Sequence, residues 1–397
     1  MSQSPSSVLL AGARTPFGRL NGALASLSAV QLGTVAAKAA VERSGVAPDE
    51  VGNVVFGQVL QGGAGQNPAR QVALAAGLPK TVPAETINRV CGSGLRAITL
   101  ADSLIRAGDF EVILAGGMES MTNAPYLLRQ ARGGYRFGNG TLEDMAQSDG
   151  LTCAVGHCSM GIHGGAVAAE EGLSREEQDA WSLRSHRRAV AAQDAGTLAE
   201  EIVPVEIAVK GGVTVVEHDE APRRDTSAEL LARLKPAFDP AHTVTAGNAP
   251  GVNDGAAAVV VADAAWAERH GHAPLARIVA HGAAAWDVPY LAYTPAMAAE
   301  VALERAGLNI GEMDLVEINE AFASVTLISS KRLGVAPARV NVNGGAVAFG
   351  HPIGASGTRL VLTLALELRR RGGGLGLAAI CSGGGGGDAI IIEVPRA

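Results

Sequence analysis

The chain has 397 residues, 47% of them hydrophobic and 18% charged, enough for two or three buried cores at roughly 150 residues per domain. A formal net charge of −7 argues against a general nucleic-acid binder, and no apolar run approaches the ~20 residues that span a bilayer. Four cysteines are too few for a disulfide framework, and Cys153 and Cys158 have no second pair to complete a zinc site, so no metal is expected. Met1-Ser2-Gln3-Ser4-Pro5 lacks the basic start of a signal peptide, and Val394-Pro395-Arg396-Ala397 is not a peroxisomal address. A reduced, cytoplasmic protein is expected.

In chain order the pattern predicts a helix over 27–44, a strand over 51–59, a strand-like run over 82–90, a helix over 94–107 and a strand over 111–115. A Gly-, Arg- and polar-rich stretch over 121–249 follows, with one clear helix at 175–195. Beyond it come strands at 256–261 and 315–318 around a helix at 295–306. A helix at 357–371 and strands at 375–380 and 389–394 end the chain. Such alternation predicts sheets covered by helices, an α/β fold.

The chain repeats itself. Ala40-Val41-Glu42-Arg43-Ser44-Gly45 aligns without a gap on Ala302-Leu303-Glu304-Arg305-Ala306-Gly307, an offset of 262 residues. Two duplicated α/β halves follow: residues 1–120, completed by 250–272, and residues 273–397, with 121–249 as an inserted loop domain over the site. Shifted by the same offset, Cys91 falls two residues from His351. Each precedes a helix, so packing of the halves about a pseudo-twofold axis would bring thiol and imidazole together at helix N-termini. Cys381 would enter from a neighbouring strand end.

Those three residues suggest a nucleophile, its base and a second proton carrier, a set suited to joining carbon to carbon between thioesters. Helix N-terminal N–H groups are expected to lower the Cys91 pKa from about 8.5. The glycines at 383–387 would leave backbone N–H groups bare for a developing oxyanion, each contributing on the order of 3 kcal/mol. The amide of Asn319, at a strand end, would orient a water or a carbonyl. No Gly-x-Gly-x-x-Gly opens a helix after the first strand, and no Gly-x-Ser-x-Gly occurs, which disfavours dinucleotide enzymes and serine hydrolases.

Asn88-x-x-Cys91-x-Ser93-Gly94, Gly116-Gly117-Met118-Glu119-Ser120-Met121, Asn319-Glu320-Ala321-Phe322, Gly350-His351-Pro352 and Cys381-x-Gly383 stand together in an order that resembles the thiolases. Ser120-Met121, Ala124-Pro125-Tyr126-Leu127-Leu128 and Gly134-Tyr135-Arg136 are similar to the acetyl-CoA acetyltransferase branch. The resemblance implies two duplicated halves in a layered helix–sheet sandwich. It implies ping-pong condensation of two acetyl-CoA to acetoacetyl-CoA and CoA, reversible as thiolysis. In it His351 deprotonates Cys91, and Cys381 takes the α-proton. Asn319 with a water and His351 form one oxyanion hole, the N–H groups of Cys91 and Gly383 the other.

It further implies that Arg223 lies near the adenine and that Ala246, Phe238, Met160 and Phe322 line the pantetheine and acyl tunnel. CoA thioesters are then substrates, with no cofactor bound permanently, and the assembly is a homo-oligomer, a tetramer or a dimer. Alternatives are a 3-ketoacyl-CoA thiolase for longer or branched chains and a non-catalytic acyl-CoA-binding relative.

Three stretches depart from the family pattern. Ser159-Met160-Gly161-Ile162-His163 stands where His-Met-Gly-x-Thr is usual, Pro250 replaces a serine at the pantetheine arm, and Pro289-Tyr290-Leu291-Ala292-Tyr293 replaces Gly-x-Gly-Pro. Losing the serine would cost one hydrogen bond, about 1 kcal/mol of CoA binding.

Overall fold

The computed structural model describes residues 6–396; the expectations placed on Met1–Pro5 and Ala397 lie outside them. The first half runs β1 (Ser7–Arg14), α1 (Ala29–Ser44), β2 (Asn53–Gly57), α2 (Pro68–Ala75), β3 (Ala84–Ile87), α3 (Ser93–Ala107) and β4 (Val112–Ser120). Among the short strands of the inserted segment are β5 (Thr152–Cys153) and β6 (Cys158–Ser159), followed by α4 (Met160–Glu170) and α5 (Arg175–Asp194), before β7 (Asn253–Asp263) returns to the sheet. The second half is β8 (Ala276–Ala285), α6 (Thr294–Ala306), β9 (Leu315–Ile318), α7 (Ala323–Leu333), α8 (Ser356–Arg370), β10 (Gly374–Ser382) and β11 (Gly386–Val394).

Strand order makes the duplication visible. From the join outward, the first half reads β1-β7-β4-β2-β3 and the second β8-β11-β10-β9. In both, the two strands nearest the join are antiparallel, and a parallel pair follows the central strand. The halves meet where β1 pairs β8, Val8 opposite Arg277 and Leu9 opposite Ala276. The repeat found in sequence ends two helices alike: Gly45 and Gly307 close α1 and α6 at φ 69° and 65°, in the left-handed region. The α1 start is fixed by a capping box between Ser28 and Gln31.

Side-chain alternation sorts the core into layers. Val54, Phe56 and Leu114 face α1 and α2, whereas Val55, Ile113 and Ala115 face α3 and α8. Ile390 and Ile392 meet the same central helices, and Ala389 and Ile391 point outward to α6 and α7. Five layers result, with α3 and α8 buried between the two sheet halves. The central pair packs tightly: a methyl group on Gly94 would stand 2.8 Å from the Gly354 carbonyl oxygen and from Thr358 Oγ1. Thr358 donates to the Gly94 carbonyl across the same seam, 3.0 Å. The loops carrying Cys91 and His351 are thereby delivered to one point, because α3 follows Cys91 and α8 follows His351.

The inserted segment holds more helix than its composition suggested. A second helix, α4, joins α5, along with a short turn at Ala228–Ala232. Glycine lowers helix propensity, yet Gly164 is required by packing, since a Cβ there would lie 2.7 Å from the Phe322 ring. The segment is bound to both halves. Arg14 of β1 donates to Glu201 at 2.7 Å and to Asp219 at 2.6 and 2.8 Å, all three side chains being buried. Glu320, beyond β9, accepts from Trp181 Nε1 (2.9 Å) and Ser185 Oγ (2.7 Å) of α5, and from Asn341 and the Val347 N–H at 3.0 Å.

Candidate active site

Cys91 sits in the turn between β3 and α3. The turn is held in an unfavourable shape: Val90 has φ 48°, costly for a β-branched residue. Asn88 Oδ1 accepts from the Val90 N–H at 2.9 Å, and Ser93 Oγ bonds both the Arg89 N–H (2.8 Å) and the Val90 carbonyl (2.7 Å). The second half completes the clamp. Ser382 Oγ accepts from the Gly92 N–H at 2.9 Å, and Asp388 pairs with Arg89 at 2.8 Å. Ser382 follows Cys381 on β10, so the same contact sets the two thiols side by side.

The thiol does not behave as the helix N-terminus suggested. Burial pushes Cys91 up to about 12, and the buried Glu119 adds to the rise, although the N–H groups of Gly383 and of Cys91 itself pull the other way. Desolvation of a thiolate outweighs these two donors. Cys381, 1% exposed, is driven well above the ordinary thiol range by burial and by the neighbouring Cys91. Both thiols therefore hold their protons at neutral pH.

His351 is held by three contacts. Its backbone N–H donates to Asn253 Oδ1 at 2.9 Å. Its Nδ1 lies 2.5 Å from Ser356 Oγ, in the first turn of α8, and Ser356 Oγ donates its own proton to the Pro352 carbonyl at 2.9 Å. A hydroxyl has one proton to give, so Ser356 accepts from His351 Nδ1–H. Nε2 then carries the lone pair, toward which Asn319 Nδ2 donates a long hydrogen bond at 3.5 Å. Burial, then the positive Arg359, lower the His351 pKa to about 3, leaving a neutral imidazole. Asn319 Oδ1 is buried with no partner among the described residues.

Cys91, His351, Cys381 and Gly383 all line one cavity of about 280 Å3. Met160, Phe238, Phe322 and Pro250 share its walls, with Met121, Leu151, Leu291 and Ile353. Arg223 and Ala246 instead line an adjoining cavity of about 270 Å3, with Arg19 and His186, and Pro250 borders both. The second cavity is electropositive: burial first, then Arg223 and Arg19, lower the His186 pKa to about 4. Together the two form an apolar chamber opening beside a basic one.

The run 383–387 is shorter as a loop than its sequence suggested, because Gly386 and Gly387 already belong to β11. In the 289–293 departure only Leu291 reaches the cavity. Tyr290 and Tyr293 stack on each other at 5.1 Å and turn their hydroxyls to Glu170, the last residue of α4, and to Glu171 beyond it. Sequence reasoning did not single out Ser356, Ser382, Asp388 or Asn253. Ser356 had a usable signal, a hydroxyl opening a helix five residues after the histidine. Among the described residues no group of three or more His, Cys, Asp or Glu side chains is arranged to hold a metal, and no helix is long and apolar enough to cross a membrane.

Comparison with known proteins meets this geometry from outside. Family models described as "Thiolase, N-terminal domain" and "Thiolase, C-terminal domain" match residues 7–265 and 272–394. The chain is 50% identical over 388 residues to a probable acetyl-CoA acetyltransferase of Mycobacterium leprae, covering 98% of this chain and 99% of that one. It is 48% identical over 387 residues to the acetyl-CoA acetyltransferase of Escherichia coli, covering 97% and 98%. The crystal structure of the Bacillus anthracis acetyl-CoA acetyltransferase superposes with a TM-score of 0.97, at 41% identity and full coverage of both chains.

Proposed function

The chain belongs to the thiolase family, and from that premise we propose that it is an acetyl-CoA C-acetyltransferase, condensing two acetyl-CoA reversibly to acetoacetyl-CoA and CoA. The observation that carries the reading is the convergence of Cys91, His351, Cys381 and Gly383 on one apolar cavity. Longer-chain and non-catalytic readings are not favoured, since relatives similar over nearly the whole chain carry the acetyltransferase name.

The proton inventory of the site orders the steps. His351 Nε2 takes the Cys91 proton as the thiolate attacks the acetyl carbonyl, and the N–H groups of Cys91 and Gly383 hold the tetrahedral oxyanion. Cys381 gives its proton to the departing CoA sulfur and is left as the base. It then removes an α-proton from the second acetyl-CoA. The enolate oxygen receives hydrogen bonds from the now protonated His351 Nε2 and from a water held by Asn319, whose unpartnered Oδ1 suits that task. Attack on acetyl-Cys91 releases acetoacetyl-CoA, and the proton on His351 returns to Cys91. No net proton is gained or lost.

Coenzyme A enters as part of its thioesters, with no cofactor held permanently. Arg223 faces the adenine end in the basic cavity, while Ala246, Pro250, Phe238, Met160 and Phe322 flank the path to Cys91. We assign residues 1–120 with 250–272 and residues 273–397 to the two catalytic halves, and 121–249 to the CoA-binding loop domain. The protein is placed in the cytoplasm, as its four free thiols suit, and as a homo-oligomer, a tetramer or a dimer. Exposed Tyr126, Leu128, Phe137 and Leu142, all on one segment, supply apolar surface for such contacts.

The test is loss of acetoacetyl-CoA enolate absorbance on adding CoA, in wild type and in Cys91→Ala and Cys381→Ser. Wild type should turn over and C91A should not, while C381S, offered acetyl-CoA alone, should acetylate Cys91 slowly and form no acetoacetyl-CoA. Folded wild-type protein that leaves acetoacetyl-CoA intact would overturn the assignment.

A further inference from the structure

Beside the cavity, and outside the machinery just described, two more cysteines and a histidine converge. Strands β5 and β6 form a hairpin in which Cys153 and Cys158 are direct cross-strand partners. Directly opposed antiparallel residues have Cα atoms about 4.5–5.5 Å apart, within the roughly 4.4–6.8 Å that a disulfide bridges. Cys158 Sγ lies 3.0 Å from His163 Nε2. Cys153 Sγ accepts from the Gly156 N–H at 3.2 Å. A Cβ on Gly156 would stand 2.6 Å from His163 Nε2 and 3.6 Å from Cys153 Sγ, so all three groups border one small space. His163 is itself 6% exposed, and its Nδ1 has no partner among the described residues.

We propose that Cys153 and Cys158 form a redox-active dithiol, a modification site whose co-substrate is a low-molecular-weight disulfide. Cys158 is the partly exposed thiol and Cys153 the buried one, which fixes their order. His163 Nε2 takes the Cys158 proton as the sulfur attacks the incoming disulfide and passes it to the departing sulfur, so a mixed disulfide forms and one small thiol is released. Cys153 then attacks the Cys158 sulfur, the second small thiol leaves with the remaining proton, and the Cys153–Cys158 bond is formed. Two protein thiols are oxidised and one small disulfide is reduced to two thiols. Burial raises the Cys158 pKa and lowers that of His163, so a protonated thiol faces a neutral imidazole ready to accept.

The consequence reaches the cavity because the hairpin joins two of its walls. Gln147 and Leu151 precede it, Ser159 ends its second strand and Met160 follows, and all four line the chamber. Closing the bridge turns Cys158 Sγ away from His163, which then loses the one partner of a buried ring. His163 stands one helical turn after Met160 on α4, so its rearrangement moves the first turn of the helix against the acyl path.

The experiment treats the full chain with glutathione disulfide in a Cys91→Ala background, which removes the catalytic thiol, and maps thiols by alkylation and peptide mass. The expected result is one peptide spanning both cysteines that has lost two hydrogens and regains them with dithiothreitol. Cys153→Ser should stop at a glutathione adduct on Cys158, and Cys158→Ser should give no bridge. His163→Gln should slow the reaction by about a hundredfold near neutral pH and recover at alkaline pH, where the base is dispensable. With Cys91 restored, oxidation should raise KM for acetoacetyl-CoA about threefold or more, an effect absent in C158S. Cys153 and Cys158 both remaining alkylatable, or Cys158 staying a mixed disulfide in the presence of Cys153, would overturn the proposal. Peptide masses need no turnover, so this outcome is independent of the assignment of thiolase activity.

Discussion

Ser356→Ala isolates the hydrogen bond that makes His351 a base. Without Ser356 Oγ the buried Nδ1–H loses its acceptor at 2.5 Å and nothing else among the described contacts replaces it. An unsatisfied buried donor costs about 1–3 kcal/mol. The ring can escape that cost by moving its proton to Nε2, which removes the lone pair that receives the Cys91 proton. Each ~1.4 kcal/mol is tenfold in rate, so kcat/KM for thiolysis should fall by about 5- to 150-fold. Nitrogen NMR of labelled protein should show Nδ1–H in wild type and a mixed or Nε2–H population in the variant. Iodoacetamide alkylation of Cys91 in the absence of substrate should slow in parallel. A variant within about twofold of wild type, with its tautomer unchanged, would refute the reasoning.

Other outcomes follow from the same geometry. Gly94→Ala forces a methyl against Gly354 and Thr358 at 2.8 Å, and should cost about 1–3 kcal/mol in urea unfolding with an unchanged m-value. Arg223→Ala should raise KM for CoA several-fold, roughly 3- to 10-fold, and leave kcat nearly intact, read from steady-state thiolysis. His186 is held at about 4 in the fold against about 6.5 when unfolded, so the unfolded chain binds its proton first. The stability this neutral ring contributes is present above pH 6.5 and lost as pH falls toward 4. Relative to His186→Gln, wild type should lose about 1.4 kcal/mol more per pH unit across that window. Parallel stability curves for the two proteins would discard the idea.

Where the sequence spoke through local chemistry, it was readable. The strand Leu315–Ile318 is found with its expected ends, and α1, α3, α6 and α8 begin within two residues of expectation. The internal repeat carried still more, since its register led to the expectation that Cys91 and His351 meet, and both line one cavity. What stayed hidden depended on contacts between distant segments. Strand β8, Ala-Arg-Ile-Val-Ala-His-Gly-Ala-Ala-Ala, has weak β propensity and is a strand because β1 and β11 flank it. The glycines of α4 hid a helix whose spacing serves Phe238 and Phe322. At the site, the glycine settings of Cys91, His351 and Cys381 gave them away. Ser382 and Asp388 look like ordinary strand residues until the fold brings them to the Cys91 turn. The rise of the Cys91 pKa was also out of reach, because burial depth is a property of the assembled cavity.

The two anchors of the inserted segment have a consequence for how ligand is received. Arg14 fastens it to the first half through Glu201 and Asp219, and Glu320 fastens α5 to the second half beside Asn319. The Arg14 bonds form a buried ion-pair cluster, of the kind whose loss leaves an uncompensated charge and costs about 3–5 kcal/mol. A cover fixed at both ends is no swinging gate. The entropy of shaping the cleft is spent during folding, so little of the ligand's affinity is diverted to ordering protein. Amide hydrogen exchange in α5 should therefore be slow in the free protein already, and nearly indifferent to the arrival of coenzyme A.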